Sequence, residues 1–448
     1  MQSVRCDNLF DGRRFVGPAT IEIEGDRIAA VRVGEEESAD SEALHVRSVL
    51  PGLIDAHMHV VGYPEGPPGA DPFALHRNAL RLLALNGVTT VRDAGNAIET
   101  TRYAALWSDA NAGPQIVPTG PFLDAPPVRW LTTRIVQTPE DAEAEVARLA
   151  AEGLRWVSVY RNVPLDAIQA LTTRAQAAGL DVLADVSSTG AGALAEAGVR
   201  SVEHAPFLLD LRGPDGAIPA SVAALVRLWA AVDPKSEAVD RVIEQLERAG
   251  TFVCPTLFAT ERWCSIQDMV QEPHLDAMTA VVPSARHFLQ MRQPMGMMVG
   301  RRFLQSQLGI PSLSKGEKAE AQRGLDVLAA VVGRLHEAGV PLVAGTDAPM
   351  PSVVPGYSLH EEVARLHRAG LSPADALAAA TSTAARLLRL DGEVGVVEAG
   401  ARADLVLLDG DPGQDIADLR CVSAVLRAGQ AVPRSAFTEV LREAVVTS

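Results

Sequence analysis

Lysine is almost missing from this chain. Lys235, Lys315 and Lys318 are the only three, and arginine carries nearly all of the basic charge. Cysteine is as sparse: Cys6, Cys254, Cys264 and Cys421 are scattered and form no CxxC pair. That leaves no disulfide framework to read and predicts reduced thiols in a cytoplasm. No apolar run approaches the roughly 20 residues a membrane helix needs, and residues 1–7 lack a signal-peptide core. There is no basic block, and the formal net charge is −16. Nucleic acid and anionic membrane are therefore excluded as expected partners. The expected partner is a small-molecule substrate, and self-association into a homo-oligomer is left open.

What the chain does have is size and apolar content. Its 448 residues, 47% of them hydrophobic, are enough for a large barrel and a smaller domain. Both ends read as short strands. Residues 19–31 form a hairpin pattern about Gly25-Asp26, and residues 403–409 and 422–430 have the same texture. The middle alternates strands with helices. Strands are expected at 88–93, 115–118, 154–160, 181–186, 199–204, 251–255 and 341–347, with helices at 75–85 and 139–152. With the strand that ends near residue 59 there are eight such units, which predicts a (β/α)8 barrel with its site at the strands' C-terminal ends.

The densest signal is Val49-Leu50-Pro51-Gly52-Leu53-Ile54-Asp55-Ala56-His57-Met58-His59. Residues two apart on a strand share a face, so His57 and His59 converge at the strand's end. Two converging imidazoles suit a zinc-like divalent ion. The plain alternative is a chance pair on a surface strand, but this pair sits behind Pro51-Gly52 and an apolar run, with Asp55 two residues before it. Three further segments stand out: Ser201-Val202-Glu203-His204-Ala205, Gly345-Thr346-Asp347-Ala348, and the run from Ser358-Leu359-His360-Glu361-Glu362 to Ala403-Asp404-Leu405-Val406.

In order and spacing these segments resemble the amidohydrolase superfamily over nearly the whole chain, in particular its imidazolonepropionase-like and Xaa-Pro or Xaa-Arg dipeptidase-like branch. The resemblance implies a (β/α)8 TIM barrel over residues 53–393. It also implies a small β-sandwich from residues 1–52 and 394–448. The long stretch at about 256–340 is expected to hold a helical, lid-like insertion. Its methionine cluster at 291–298 reads more simply as packing.

His57, His59 and Asp347 are the expected metal ligands, with His204 as a further ligand or else a satisfied core histidine, and the resemblance gives Asp347 the proton-shuttling part. His204 and Tyr160 are the other catalytic candidates. The chain also departs from the family pattern. Ser158 stands where many relatives have a bridging lysine, and Ser187 where they have a strand-five histidine. Serine is a poor ligand beside imidazole or carboxylate, so one ion, most simply zinc, is expected rather than two. Period two sets Ser158 with Tyr160 on one strand face and Asp185 with Ser187 on another. Asp185 is then a ligand, a proton shuttle or, more simply, a polar strand end. One of Arg129 and Arg134 is a candidate to grip a substrate carboxylate or phosphate, although an exposed, solvated arginine is the commoner case. His360 and His367 share a helix face, in a supporting or surface role.

The expected reaction is hydrolysis of an amide-type C–N bond, in a cyclic amide or a peptide-like small molecule. Water activated by the metal attacks, with Asp347 as base and then acid. Two alternatives stand beside it. One is a non-hydrolytic isomerase, decarboxylase or lyase using one metal. The other is a catalytically silent ligand-binding barrel.

Overall fold

The structure is a computed structural model that describes residues 2–34, 44–60, 73–128, 130, 132–185, 188–219, 221–264, 313–349, 353–433 and 435. Arg129, Ser187 and the 291–298 cluster lie outside those residues.

Strands β1 (Gln2–Phe10), β2 (Phe15–Glu24), β3 (Arg27–Val33) and β4 (Leu44–Pro51) open the chain. The barrel wall follows. It begins with β5 (Leu53–Met58), β6 (Val88–Asp93) and β7 (Gln115–Pro118), then β8 (Phe122–Asp124) and β9 (Arg134–Ile135). It continues through β10 (Trp156–Val159), β11 (Asp181–Ala184), β12 (Ser201–Glu203) and β13 (Phe252–Cys254). Strands β14 (Leu405–Leu408), β15 (Val422–Arg427) and β16 (Gln430–Ala431) return to the first four, giving a seven-stranded sheet in the order β16-β15-β14-β4-β1-β2-β3.

That sheet curls over a core that includes Val4, Leu9, Ile21, Val49, Leu405 and Leu426. The β2–β3 turn meets the segment that leads into β14, where Ile28 N–H donates to Ala401 O and Ala403 N–H to Asp26 O. The curl gives the sandwich-like layer expected of the two ends.

The barrel strands run parallel, and every residue of β5 and β6 is buried, as befits strands covered on both faces. β5, β6 and β7 form one sheet; β13, β12, β11, β10, β8 and β9 form a second. The third barrel strand is split into β7 and β8, which is where the two sheets adjoin. Residues 341–348 close the other gap. Val343 N–H donates to Val253 O on one side, and Ala56 N–H to Ala344 O on the other, at 3.0 and 2.9 Å.

Local signals place the outer helices. Thr138 and Asp141 form a capping box at the start of the Pro139–Ala151 helix, and Ser314 and Glu317 do the same for Lys315–Glu337. Lys315–Glu337 buries Leu328, Val331, Val332 and Leu335 in the main core. This end of the expected insertion is therefore outer wall rather than lid. Among the described residues, no helix is long and apolar enough to cross a membrane.

One buried carboxylate ties the wall to the outer layer. Glu362 accepts the Leu257 and Phe258 N–H groups at 2.9 and 2.7 Å, at the start of the Leu257–Cys264 helix. Glu362→Ala leaves both donors without that acceptor and is expected to cost about 3 kcal/mol, read from a denaturant midpoint. Burial pushes the Glu362 carboxyl from 4.5 up to about 7. The folded state thus keeps a proton that the unfolded chain releases. Between those two values, this group makes stability fall as pH rises. Glu362→Gln is expected to flatten that slope in melts taken across the same range.

Candidate metal centre

Two glycines set the approach to the site. A Cβ on Gly52 would lie 2.1 Å from Thr89 Oγ1. One on Gly345 would lie 2.5 Å from Cys254 Sγ and 2.8 Å from His57 N. Residues 341–348 therefore pass directly over β5. His57 O accepts both Thr346 N–H and Asp347 N–H, at 2.9 and 2.7 Å, and His59 N–H donates to Ala348 O at 2.7 Å. Asp55 fastens the same joint. It accepts Thr346 Oγ1–H at 2.6 Å, Thr346 N–H at 3.1 Å and His57 N–H at 3.2 Å. Burial raises its carboxyl to about 6.

Three residues just past strand ends carry left-handed backbone: His204 (φ 65°), Thr256 (φ 47°) and Asp347 (φ 58°). Such conformations cost roughly 1–3 kcal/mol each in non-glycine residues and gather where function requires them. Here they surround one point. Asp347 Oδ1 is 3.2 Å from His59 Nε2 and 3.7 Å from His57 Nε2. The His57 and His204 ring centroids are 4.7 Å apart. The ligand atoms of His57, His204 and Asp347 all lie within 4.8 Å of one another. The compact set is thus His57, His204 and Asp347, and the printed contact that ties His59 to it is with Asp347 Oδ1.

The imidazoles are oriented alike. His57 Nδ1 meets Glu203 Oε2 at 2.8 Å, His204 Nδ1 meets Thr256 Oγ1 at 2.8 Å, and His59 Nδ1 meets Gly95 O at the longer 3.4 Å. Each Nε2 is left for the centre, which is the arrangement metal-ligating histidines adopt. Tetrahedral ligands at about 2.0–2.1 Å from zinc lie roughly 3.3 Å from one another, so the two Asp347 contacts have the right scale. A further observation bears on fit. Asp185 is buried, its Oδ2 is 3.7 Å from His204 Nε2, and its Oδ1 has no hydrogen-bond partner among the described residues. The donor set is imidazole and carboxylate, which suits a divalent ion.

Charge supports the same reading. Burial alone would lower the His57 pKa, but Glu203 and Asp347 outweigh it and raise it to about 10. Burial opposes the Asp347 charge, yet hydrogen bonds from His57 and His59 hold its pKa far below the usual carboxylate range. A field that holds a proton so firmly between carboxylates also favours a cation there. His204 differs: burial lowers its pKa, which keeps the ring neutral.

Behind His57 lies a buried network. Arg92 Nε donates to Ala56 O at 2.6 Å, one terminal nitrogen to Ser201 Oγ at 2.8 Å, and the other to Glu203 Oε1 at 2.6 Å. The Arg92 guanidinium also lies over the Trp156 ring at 4.7 Å. Glu203 is held ionised: burial opposes its charge, and Arg92 and His57 overcome it.

The remaining candidates are placed as follows. Ser158 Oγ donates to Ala94 O at 2.6 Å and is buried in the wall. Tyr160 packs on Phe122 at 5.0 Å, and Phe122 packs on His59 at 5.5 Å. Arg134 does not serve as the expected anion grip, because its guanidinium is committed to Glu145 at 2.7 and 3.0 Å. His360 and His367 bond the carbonyls of Asn86 and Leu371, each at 2.8 Å. Arg92, Thr256 and Arg161 were not singled out from the sequence. Only Arg92 left a signal there, as a charged residue beside Asp93 at the end of the strand Val88–Asp93.

Comparison with known proteins bears on the family and the fold. The model of the amidohydrolase family matches residues 48–432. An imidazolonepropionase from Rubrobacter xylanophilus is 26% identical over 418 residues, covering 88% of this chain and 85% of that protein. An uncharacterized protein of Mycobacterium tuberculosis is 26% identical over 397 residues, 85% of this chain and 84% of that one. Among solved structures, a bottromycin amidohydrolase has a TM-score of 0.73 at 24% identity, covering 99% of this chain and 90% of that one. A Xaa-Pro dipeptidase with bound methionine has a TM-score of 0.67 at 20% identity, covering 96% and 99%. The fold is therefore the TIM barrel with an appended β-sandwich, and the chain belongs to the amidohydrolase family.

Proposed function

We propose that the protein is a metal-dependent hydrolase of an amide-type C–N bond in a small molecule, either a cyclic amide or a peptide-like one. The observation that carries this reading is Asp347 Oδ1, set 3.2 and 3.7 Å from the outward nitrogens of His59 and His57. His57 and Asp347 are the common members of the ligand set, with His59 and His204 on either side. One divalent ion, most simply zinc, fits this set better than two, because Ser158 is spent on a backbone carbonyl. When bound, the ion supplies a Lewis acid and a water of lowered pKa.

The chain's own residues divide the remaining work. Asp347 takes the proton of the attacking water and returns it to the leaving nitrogen. Glu203, through Nδ1, holds His57 in the orientation that faces the centre. Thr256 Oγ accepts from His204 Nδ1–H and so turns the Nε2 lone pair toward the centre. The Tyr160 phenol is the donor to the substrate carbonyl. The barrel is the residue-53–393 unit, and the terminal segments form the appended layer. The cytoplasm is the proposed compartment, in keeping with Cys6, Cys254 and Cys264 as buried free thiols.

The test is metal analysis joined to hydrolysis of an amide panel in ¹⁸O-water. About one zinc per chain is expected. Chelation should take turnover to background and zinc should restore it. Product carboxylate should carry solvent oxygen. Turnover that survives chelation would sink the proposal. Product free of ¹⁸O would favour the isomerase, decarboxylase or lyase alternative.

A further inference from the structure

Asp93 takes no part in the chemistry above. It ends β6, opposite Met58 of β5, and is wholly buried. Its Oδ1 accepts Asn96 Nδ2–H at 2.6 Å and Val60 N–H at 3.1 Å, and its Oδ2 accepts the Thr101 hydroxyl at 2.7 Å. One side chain therefore joins three pieces of chain: the residue that follows His59, the turn at 94–96 and the helix Ile98–Ala110. A buried carboxylate is costly, and native structures keep few of them without a use.

The same turn holds His59. Gly95 O lies 3.4 Å from His59 Nδ1, and the ring is within electrostatic reach of the Asp93 carboxylate. A Cβ on Gly95 would lie 2.5 Å from Phe122 Cε1, and the Phe122 ring packs on His59 at 5.5 Å. Other bonds fix the turn from outside. Ala94 N–H donates to Met58 O at 2.7 Å, Asn96 N–H to Gly120 O at 2.9 Å, and Ser158 Oγ to Ala94 O at 2.6 Å. The contrast with the other imidazoles is informative. His57 and His204 each have an Nδ1 partner at 2.8 Å. His59 has only the longer contact and stands outside the compact set of His57, His204 and Asp347. A ring held so loosely by its own bond takes its place from the backbone on either side, and Asp93 is where those backbones are joined.

We propose that Asp93 is the positioning residue for His59: by tying Val60 to the 94–96 turn it keeps the His59 ring beside Asp347, where it joins His57 and Asp347 in holding the ion. This rests on the metal-dependent reading given above. Asp93 touches neither ion nor substrate and moves no proton.

Zinc affinity, read by competition with a chromogenic chelator, tests this without turnover. Asp93→Ala should weaken zinc binding about 10- to 100-fold, as loss of an orienting partner does. His59→Ala should weaken it at least as much. The two losses should not add: once His59 is gone, removing Asp93 should change affinity by less than about threefold. Any drop in melting temperature from Asp93→Ala should instead be the same with and without His59, a pattern a merely structural role does not give. Loaded with cobalt(II), Asp93→Ala should show the visible spectrum of His59→Ala rather than that of the native chain. Thr101→Val is nearly isosteric and removes only the hydroxyl that steadies Asp93. It should weaken zinc binding by about threefold, the worth of one hydrogen bond, with a melt close to native. Native zinc affinity in Asp93→Ala or Thr101→Val, or a loss in Asp93→Ala as large without His59 as with it, would overturn the proposal. A native chain that binds no zinc would bring down the metal-dependent reading with it. Failure of hydrolysis in ¹⁸O-water leaves the role of Asp93 standing, and additive losses in the cycle leave hydrolysis standing.

Discussion

Asp347→Asn lowers turnover by about 10³-fold, the middle of the range for a positioned acid–base group, and leaves the chain folded. The substitution is nearly isosteric. Asp347 sits at φ 58°, and asparagine tolerates left-handed backbone well, so the turn after residue 346 survives. The Thr346 hydroxyl still bonds Asp55, at 2.6 Å in the native chain, and the backbone bonds to His57 O are untouched. What disappears is a carboxylate whose charge His57 and His59 stabilise against burial. The amide oxygen still contacts the two imidazoles but accepts no proton at working pH. The loss should therefore fall on kcat, with KM little changed. Steady-state kinetics beside a metal assay checks this. Activity within tenfold of native would remove Asp347 from the proton path.

Much of this site was legible because its chemistry is local to short segments. His57 and His59 announce themselves by period two, and the glycines at 52 and 345 mark close passes of the chain. Asp347 stands two residues after the second of them. The supporting groups were not legible. His57 and Glu203 are 146 residues apart in the chain, and Arg92 and Ser201 are 109 apart. Periodicity says which face a side chain takes, but it does not say which distant strand end faces back. The left-handed backbone of Thr256 and His204 has no sequence marker, since neither is glycine or asparagine. Arg134 is a related case: in sequence a loop arginine is either solvated or a grip, and its pairing with Glu145 depends on a helix that follows it. The barrel itself was readable from eight βα units. The split of its third strand into β7 and β8 was not, because Gln115–Pro118 reads by itself as a whole strand.

The second large effect is on stability. Arg92 and Glu203 are both essentially inaccessible, and their ion pair spans 2.6 Å. Arg92→Leu removes the cation and leaves the Glu203 carboxylate buried with only His57 and Ser201 to support it. Breaking a buried pair from one side costs about 3–5 kcal/mol, because the orphaned charge is worse than no pair. Glu203→Gln should cost about as much, because it orphans the Arg92 guanidinium. The double variant should lose much less than the sum of the two, since a neutral pair replaces a neutralised one. Function should not follow stability. Glu203 Oε2 orients His57 through Nδ1 at 2.8 Å, and loss of such a partner typically weakens metal affinity 10- to 100-fold. The double variant is thus expected to regain denaturant resistance while still binding zinc poorly. If it recovers both together, Glu203 acts only as the counterion of Arg92 and does not orient His57. If stability losses simply add, the two side chains are not coupled as their geometry requires.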